Sequence, residues 1–394
     1  MQYGRGFNMK KFIDSIKYIK LKDLLSPFIF IIALIPSLLF RLYLLLTGKT
    51  LWLVSENKNA ARDNGYFFYK YIRENHKEDY CFYAINKNCN DYNKVKDLGN
   101  IIQFGSLKHW IFYMSAKLNI SNQKNGNPNE KFWYVMHVML NLYNNRVFLQ
   151  HGITKDNSPW LYYKNTKFKY FVCGVKKEYD YILDNFGYKK EQLLLTGFPR
   201  WDSLDNSILE NNTILIMPTW RNWLGRDFNS SNSVDTIKDT TFYNCWNGLL
   251  NNQRFIDYIE TNNIKVYFYP HIHMQKYLNE FEIKSNNIEL VSANTDIQTM
   301  LKKCSLMITD YSSVAFDFGY MNKSVIYYQF DYDEYREKQL QEGYYNYETD
   351  GFGPVCKSLD DVLSNLKYAN NDNNFFERKD NNNSKRLYDY LKEV

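Results

Sequence analysis

Glycine and proline are scarce in this chain, 17 and 8 among 394 residues. That excludes collagen-like and low-complexity architectures. Cysteine is sparse as well. Cys81, Cys89, Cys173, Cys245, Cys304 and Cys356 form no C-x-x-C pair, and none stands at metal-ligand spacing with a histidine. A reducing, cytoplasmic setting is expected. A mean hydropathy of −0.53 excludes a polytopic membrane protein. No G-x-G-x-x-G, Walker loop or G-x-S-x-G occurs, which removes the main support for NAD, P-loop and α/β-hydrolase readings. No repeat recurs at solenoid spacing. Aromatic residues, by contrast, reach 18%, with 35 Tyr and 27 Phe. Hydrophobic residues at 45% and charged residues at 23% describe a folded globular chain, and its length suits two domains.

The net charge of +6 belongs to one end. The first fifty residues hold Arg5, Lys10, Lys11, Lys17, Lys20, Lys22, Arg41 and Lys49 against Asp14 and Asp23, and the rest is neutral overall. A nucleic-acid binder spreads basic residues over its folded body. This pattern is a basic arm, and no nucleic-acid partner is expected. The charge-free run LLSPFIFIIALIPSLLF follows at 24–40. A spanning helix needs roughly twenty apolar residues; Pro36 would kink it, and Arg41 falls inside the required length. No small-residue cleavage site follows, which argues against a secretory signal. The positive-inside rule keeps the arm in the cytoplasm, and a full crossing would separate the body from cytosolic nucleotides. Residues 1–48 are therefore expected to form a peripheral or monotopic membrane-associating segment on the cytoplasmic face, with lysines on anionic headgroups. A helix buried against the body and a single span are the alternatives.

The remainder alternates short apolar runs with amphipathic stretches. Strands are predicted at 51–54, 80–85, 118–121, 147–149, 170–173 and 193–196, then at 213–217, 266–269, 288–291, 306–309 and 325–328. Helices are predicted at 61–75, 176–186, 254–261, 296–302 and 314–321. Strands separated by helices imply βαβ units and parallel sheets. Two sets imply two doubly wound, Rossmann-like domains, 49–205 and 206–394, with a hinge in the polar stretch 205–212. Ligands of such sheets bind at the carboxyl ends of strands, so two facing domains would define one cleft.

The strand ends hold the chemistry. The run at 147–149 exits into QHGITKD, and His151 there can accept a hydroxyl proton near neutrality; a hydrogen-bonded structural histidine is the plainer reading. Pro270 ends another strand and places His271 and His273 at its exit. Their x-H-x-H look has no third zinc ligand nearby. At 306–317, LMITDYSSVAFD reads as strand, polar turn, helix. Ser312 or Ser313 can cap that helix, whose free N–H groups would suit a diphosphate; a merely well-capped helix is the alternative. Arg200 in GFPRWD and Arg221 in PTWR could grip phosphate oxygens or remain solvated surface charges.

Together these segments resemble the CDP-glycerol glycerophosphotransferase family of teichoic acid and capsule synthesis. The resemblance runs in order from about residue 151 to 363. The family's HG-T/I-x-K is similar to HGITK at 151–155, although H-G-T-P-L-K is its commoner form. G-x-P-R-x-D resembles 197–202, and A/M-P-T-W-R resembles 217–221. I-T-D-Y-S-S-V-x-F-D-F resembles 308–318 closely. FDYDEYR at 330–336, GYY at 343–345 and GP at 353–354 agree too. The resemblance implies a GT-B fold with an N-terminal acceptor domain and a C-terminal CDP-donor domain, phosphotransfer of an inverting type without a covalent enzyme intermediate, and membrane association. It implies His151 as base and His271 acting on the phosphate side. Gly152, Lys155, Arg200, Thr219, Arg221, His273, Thr309, Asp310, Ser312, Ser313 and Asp317 would contact substrate. The donor would be CDP-glycerol or CDP-ribitol, and the acceptor a polyprenyl-diphosphate-linked chain. No cofactor is demanded, although two aspartates near a diphosphate leave Mg²⁺ open. The rivals are a GT-B glycosyltransferase using a CMP- or UDP-sugar and a non-catalytic membrane-tethered binding protein.

Overall fold

The computed structural model describes residues 21–225, 237–367 and 374–394. Arg5, Lys10, Lys11, Lys17 and Lys20 of the basic arm lie outside the described residues. Seven strands form the first sheet: β1 (Leu51–Ser55), β2 (Tyr80–Ile85), β3 (Ile101–Gln103), β4 (Leu118–Ser121), β5 (Arg146–Phe148), β6 (Tyr170–Cys173) and β7 (Leu193–Leu195). Their order is β3-β2-β1-β4-β5-β6-β7. Six form the second: β8 (Glu210–Met217), β9 (Lys265–Phe268), β10 (Ile288–Leu290), β11 (Cys304–Thr309), β12 (Ser324–Tyr328) and β13 (Val355–Cys356), in the order β10-β9-β8-β11-β12-β13. The central pairs are parallel, for example Leu53 opposite Asn119 and Ile308 opposite Ile216. Each sheet starts in the middle, winds outward, then returns and winds the other way. That is the doubly wound plan, and both sheets have it. By compactness the chain divides into residues 1–149 with 163–171, and residues 150–162 with 172–394.

The strands form where apolar runs are buried on both faces. Every residue of β1 and β4 is buried, which a parallel sheet covered on both sides requires. The core of the second unit gathers Ile214, Ile216, Val266, Phe268, Ile308 and Ile326 from the strands under Trp246, Leu249 and Phe255 from helices. Several helices have side-chain caps, such as Ser106 accepting from His109 N and Thr240 from Tyr243 N. The helix after β11 differs. It is six residues long, Ala315–Tyr320, with Val314 as N-cap and no side-chain cap. Ser312 Oγ instead accepts from Val314 N at 3.3 Å.

The apolar run near the N-terminus is one helix, Ser26–Leu46, that continues through Pro36. Ser26, Ala33, Ser37 and Leu44 face inward, a stripe at helical spacing. Phe40 packs on Phe112 at 4.7 Å between ring centroids, and Phe30 on Phe132 at 5.3 Å. Arg41 donates to the carbonyl of Met114. Phe28, Ile31, Ile32, Ile35, Leu38, Leu39 and Leu42 are exposed on the other side.

Candidate active site

In the second sheet the strand order reverses between β8 and β11, so their carboxyl ends form its switch point. The segment after β8 carries Thr219, Trp220 and Arg221, and the turn after β11 carries Asp310, Ser312 and Ser313. A buried ion cluster ties the two exits together. Asp310 Oδ1 accepts from Thr219 N at 2.8 Å and from Tyr311 N at 2.6 Å. Arg221 Nη2 lies 2.8 Å from Asp310 Oδ2, and its Nε donates to Asp331 Oδ2 at 2.7 Å. Arg221 is fully buried. Burial works against its charge, but Asp310 and Asp331 hold it firmly protonated. Thr309 is buried too, and its hydroxyl donates to Met217 O at 2.6 Å. Thr219 Oγ1 is a buried polar atom without a hydrogen-bond partner among the described residues.

His151 stands on a segment held at its root. Gln150 adopts a left-handed backbone, φ 60°, which is unfavourable for a residue with a Cβ and needs compensation. Its side chain supplies some. Nε2 donates to Val172 O at 2.7 Å and to Glu178 Oε1 at 2.9 Å, while Oε1 accepts from Thr154 Oγ1 at 2.5 Å. Glu178 also accepts from Thr154 N and Gly174 N, both at 2.6 Å. Burial pushes the Glu178 carboxyl up to about 7 against the pull of those donors. Arg200 Nη1 donates to His151 O at 3.0 Å, and Arg200 Nη2 lies 3.1 Å from Asp317 Oδ1. Asp317 accepts also from Trp201 Nε1 at 2.7 Å. A Cβ on Gly152 would come within 2.5 Å of Ser313 Oγ, so glycine is what lets the His151 segment approach the β11 turn. Farther along, Lys155 is buried in an ion pair with Asp156, which Arg336 Nη1 joins at 2.7 Å.

His271 and His273 sit at the exit of β9 beside Trp220. The His271 ring stacks on Trp220 at 5.9 Å and 20°, and the His273 ring meets its edge at 4.9 Å. His271 Nδ1 accepts from His273 N at 3.3 Å. Burial pushes the His271 imidazole down to about 4, and His273 and His151 push the same way. The imidazoles of His151 and His271 are therefore within electrostatic reach of each other.

The strand-end residues thus converge around His151, Ser313, Thr219, Trp220 and His271. Arg200, Arg221 and Lys155 are not open phosphate grips, because each is nearly or fully buried and bound to a carboxylate. Neither serine is the N-cap of the helix after β11, and a helix of six residues has little dipole to offer. Asp310 and Asp317 are engaged with arginines, and no group of three metal-ligating side chains occurs among the described residues. Gln150, Glu178 and Asp331 were not singled out from the sequence. Glu178 lies in the first turn of Lys176–Asn185, where an acidic residue reads as ordinary helix chemistry. Asp331 did leave a signal in the FDYDEYR stretch.

A family model described as CDP-Glycerol:Poly(glycerophosphate) glycerophosphotransferase matches residues 38–392. The chain is 32% identical over 381 residues to the minor teichoic acid biosynthesis protein GgaB of Bacillus subtilis (strain 168), covering 92% of this chain and 42% of that protein. It is 26% identical over 352 residues to the teichoic acid poly(glycerol phosphate) polymerase of the same strain, covering 81% and 44%. The chain spans less than half the length of these two relatives. Among solved structures, the wall teichoic acid polymerase TagF superposes with a TM-score of 0.61 at 16% identity, covering 88% of this chain and 89% of that one. Another structure of TagF was obtained after a soak with CDPG. UDP-GlcNAc 2-epimerase from Methanocaldococcus jannaschii gives a TM-score of 0.53 at 11% identity, covering 88% and 100%. The structural likenesses are of fold, two parallel-sheet α/β domains of the GT-B kind. With all but the first residues and the last two inside the family match, the chain belongs to the CDP-glycerol:poly(glycerophosphate) glycerophosphotransferase family.

Proposed function

We propose that this chain transfers glycerol phosphate, or a related polyol phosphate such as ribitol phosphate, from its CDP-activated form to a hydroxyl of a lipid-linked teichoic acid or capsule acceptor. The observation that carries the reading is the approach of the His151 segment to the β11 turn at Gly152, with His271 within electrostatic reach. His151 removes the acceptor proton as the acceptor oxygen attacks the β-phosphorus. A new P–O bond forms, the bond to the bridging oxygen breaks, and CMP leaves with that electron pair. His271 is neutral near pH 7. Its Nδ1 accepts a backbone N–H, so its proton sits on Nε2, where it can donate to a phosphoryl oxygen. Thr219 Oγ1 and the exposed edges of Ser312, Ser313 and His273 are further partners for the diphosphate. Arg200, Arg221, Asp310 and Asp317 act as positioning residues that fix the His151 carbonyl and the two strand exits. A phosphate could reach either guanidinium only by displacing a buried carboxylate, which is costly. Lys155 holds the far end of the His151 segment in the same way. Positioning and directed dipoles supply most of the rate, and no metal is required.

The acceptor side uses the membrane. The exposed apolar face of Ser26–Leu46 supports a monotopic segment on the cytoplasmic face of the cell membrane. Val135, Met139, Leu140 and Leu142, also exposed, extend that face on the neighbouring segment. Lys49 and Lys108, set over Tyr43 and Phe112, flank the helix as anchors for anionic headgroups. The domain limits 49–205 and 206–394, as acceptor and donor halves, belong to the same proposal; the boundary falls between β7 and β8. The test is mass spectrometry of a lipid-linked acceptor incubated with CDP-glycerol or CDP-ribitol. A gain of one polyol phosphate with release of CMP is expected. A gain of a sugar from a CMP- or UDP-sugar instead would replace this reading with a glycosyltransferase.

A further inference from the structure

We propose a second ligand site at the switch point of the first sheet, one that takes the sugar of the membrane-held acceptor. Strands β1 and β4 pair where the order of that sheet reverses, and ligands of doubly wound sheets collect outside the carboxyl ends at such a point. A cavity of about 420 Å³ opens there, within the usual range for small-molecule sites. Asn57, Gln123, Asn125, Asn127 and Asn129 line it, with Phe104 and Asp23. A carboxamide offers donor and acceptor side by side, which suits hydroxyl and acetamido groups, and the phenyl ring offers an apolar face to a pyranose. The lining sets Asp23 and Glu130 against Lys58 and Lys131, while burial and Asp63 push the Glu56 carboxyl up to about 8, so the cavity offers a phosphate no net positive charge. One lining residue keeps an unsatisfied acceptor. Asn127 is 4% exposed, and its Oδ1 meets no hydrogen-bond donor among the described residues. Buried acceptors are normally satisfied, and a ligand hydroxyl would satisfy this one. Asp23 stands three residues before the helix Ser26–Leu46, so the rim of the cavity adjoins the element that faces lipid. A saccharide on a lipid carrier would be presented at this place. The inference rests on the lipid-linked acceptor proposed above.

The full chain is titrated with N-acetylglucosamine, methyl glucoside and glycerol 3-phosphate, followed by ligand-observed NMR. Saturable binding of at least one sugar is expected, weakened about fivefold or more by Gln123→Ala or Asn125→Ala, as loss of one hydrogen bond would give. In the transfer assay the same substitutions should raise the acceptor KM about as much, while the KM for CDP-glycerol stays within about twofold. Absence of saturable sugar binding, or sugar binding indifferent to both substitutions, overturns the site. So does binding of glycerol 3-phosphate, but of neither sugar, that both substitutions weaken. Sugar binding that responds to the substitutions in a protein that transfers no polyol phosphate upholds the site and removes the transferase reading instead.

Discussion

His271 stays neutral near pH 7 because burial disfavours its cation, and His273 and His151 add to the effect. A neutral imidazole serves as a donor, so Gln can partly replace it. His271→Gln should retain about tenfold more activity than His271→Ala, measured as kcat with CDP-glycerol. The same group makes a stability prediction. Its folded pKa, about 4, lies below the ordinary histidine value, so the unfolded chain binds the extra proton. The contribution is present above about pH 6.5 and is lost as pH falls toward 4. Thermal melts of His271→Gln should therefore be less acid-sensitive over that window than those of the parent chain. With His151 as the proposed base, His151→Ala should lower kcat by about a hundredfold or more; a near-normal rate would remove it from the mechanism. At this scale the sequence placed His151 and His271 just past strand ends, and they follow β5 and β9 in the structure. The burial and ion pairing of the arginines were not legible. Their carboxylate partners lie 110 residues away for Arg221 and 117 for Arg200, and no local pattern announces a pairing made only when the sheet assembles.

The segment after β5 passes close to the turn after β11, and a side chain on Gly152 would meet Ser313 there. Gly152→Ala should cut kcat about tenfold or more by moving His151 away from its working position. Ser313→Gly in the same chain should restore part of the loss, because it removes the atom that the new methyl group meets. No recovery in the double variant would place the effect elsewhere. The helix Ser26–Leu46 has two unlike faces, one packed and one exposed and apolar. Its inner face is part of the core that includes Trp110, Phe112 and Trp133, so deleting it would uncover that core. Outward changes are the cleaner probe. Phe28→Ser with Ile32→Ser and Leu39→Ser should shift the protein from vesicles containing anionic lipid to the soluble fraction, with little change in melting temperature. Continued vesicle binding would move the docking surface elsewhere. Most strands were legible because short apolar runs alternating with amphipathic stretches fit the buried strands of a parallel sheet. The helix Leu107–Ser115 was not, since LKHWIFYMS has six buried residues in nine and no polar face to set a period. β13, two residues long, offers no periodicity at all.

Two sheets with the same winding carry different chemistry at their switch points. In the second, ion pairs lock β8 to β11, and the histidines and hydroxyl beside them are the groups proposed to meet a phosphate. In the first, carboxamides line a cavity suited to a sugar. The proposed mechanism uses imidazoles and fixed dipoles and routes no step through a metal. Excess EDTA should leave the transfer rate within about twofold, and a larger loss that Mg²⁺ restores would show that the reaction uses a metal. The central claim is a single displacement at phosphorus assisted by His151, and the stereochemical course tests it most directly. With CDP-glycerol made chiral by isotopic or sulfur substitution at the β-phosphorus, the product should show inversion. Retention would mean that the phosphoryl group passes through the protein itself, and it would contradict this account.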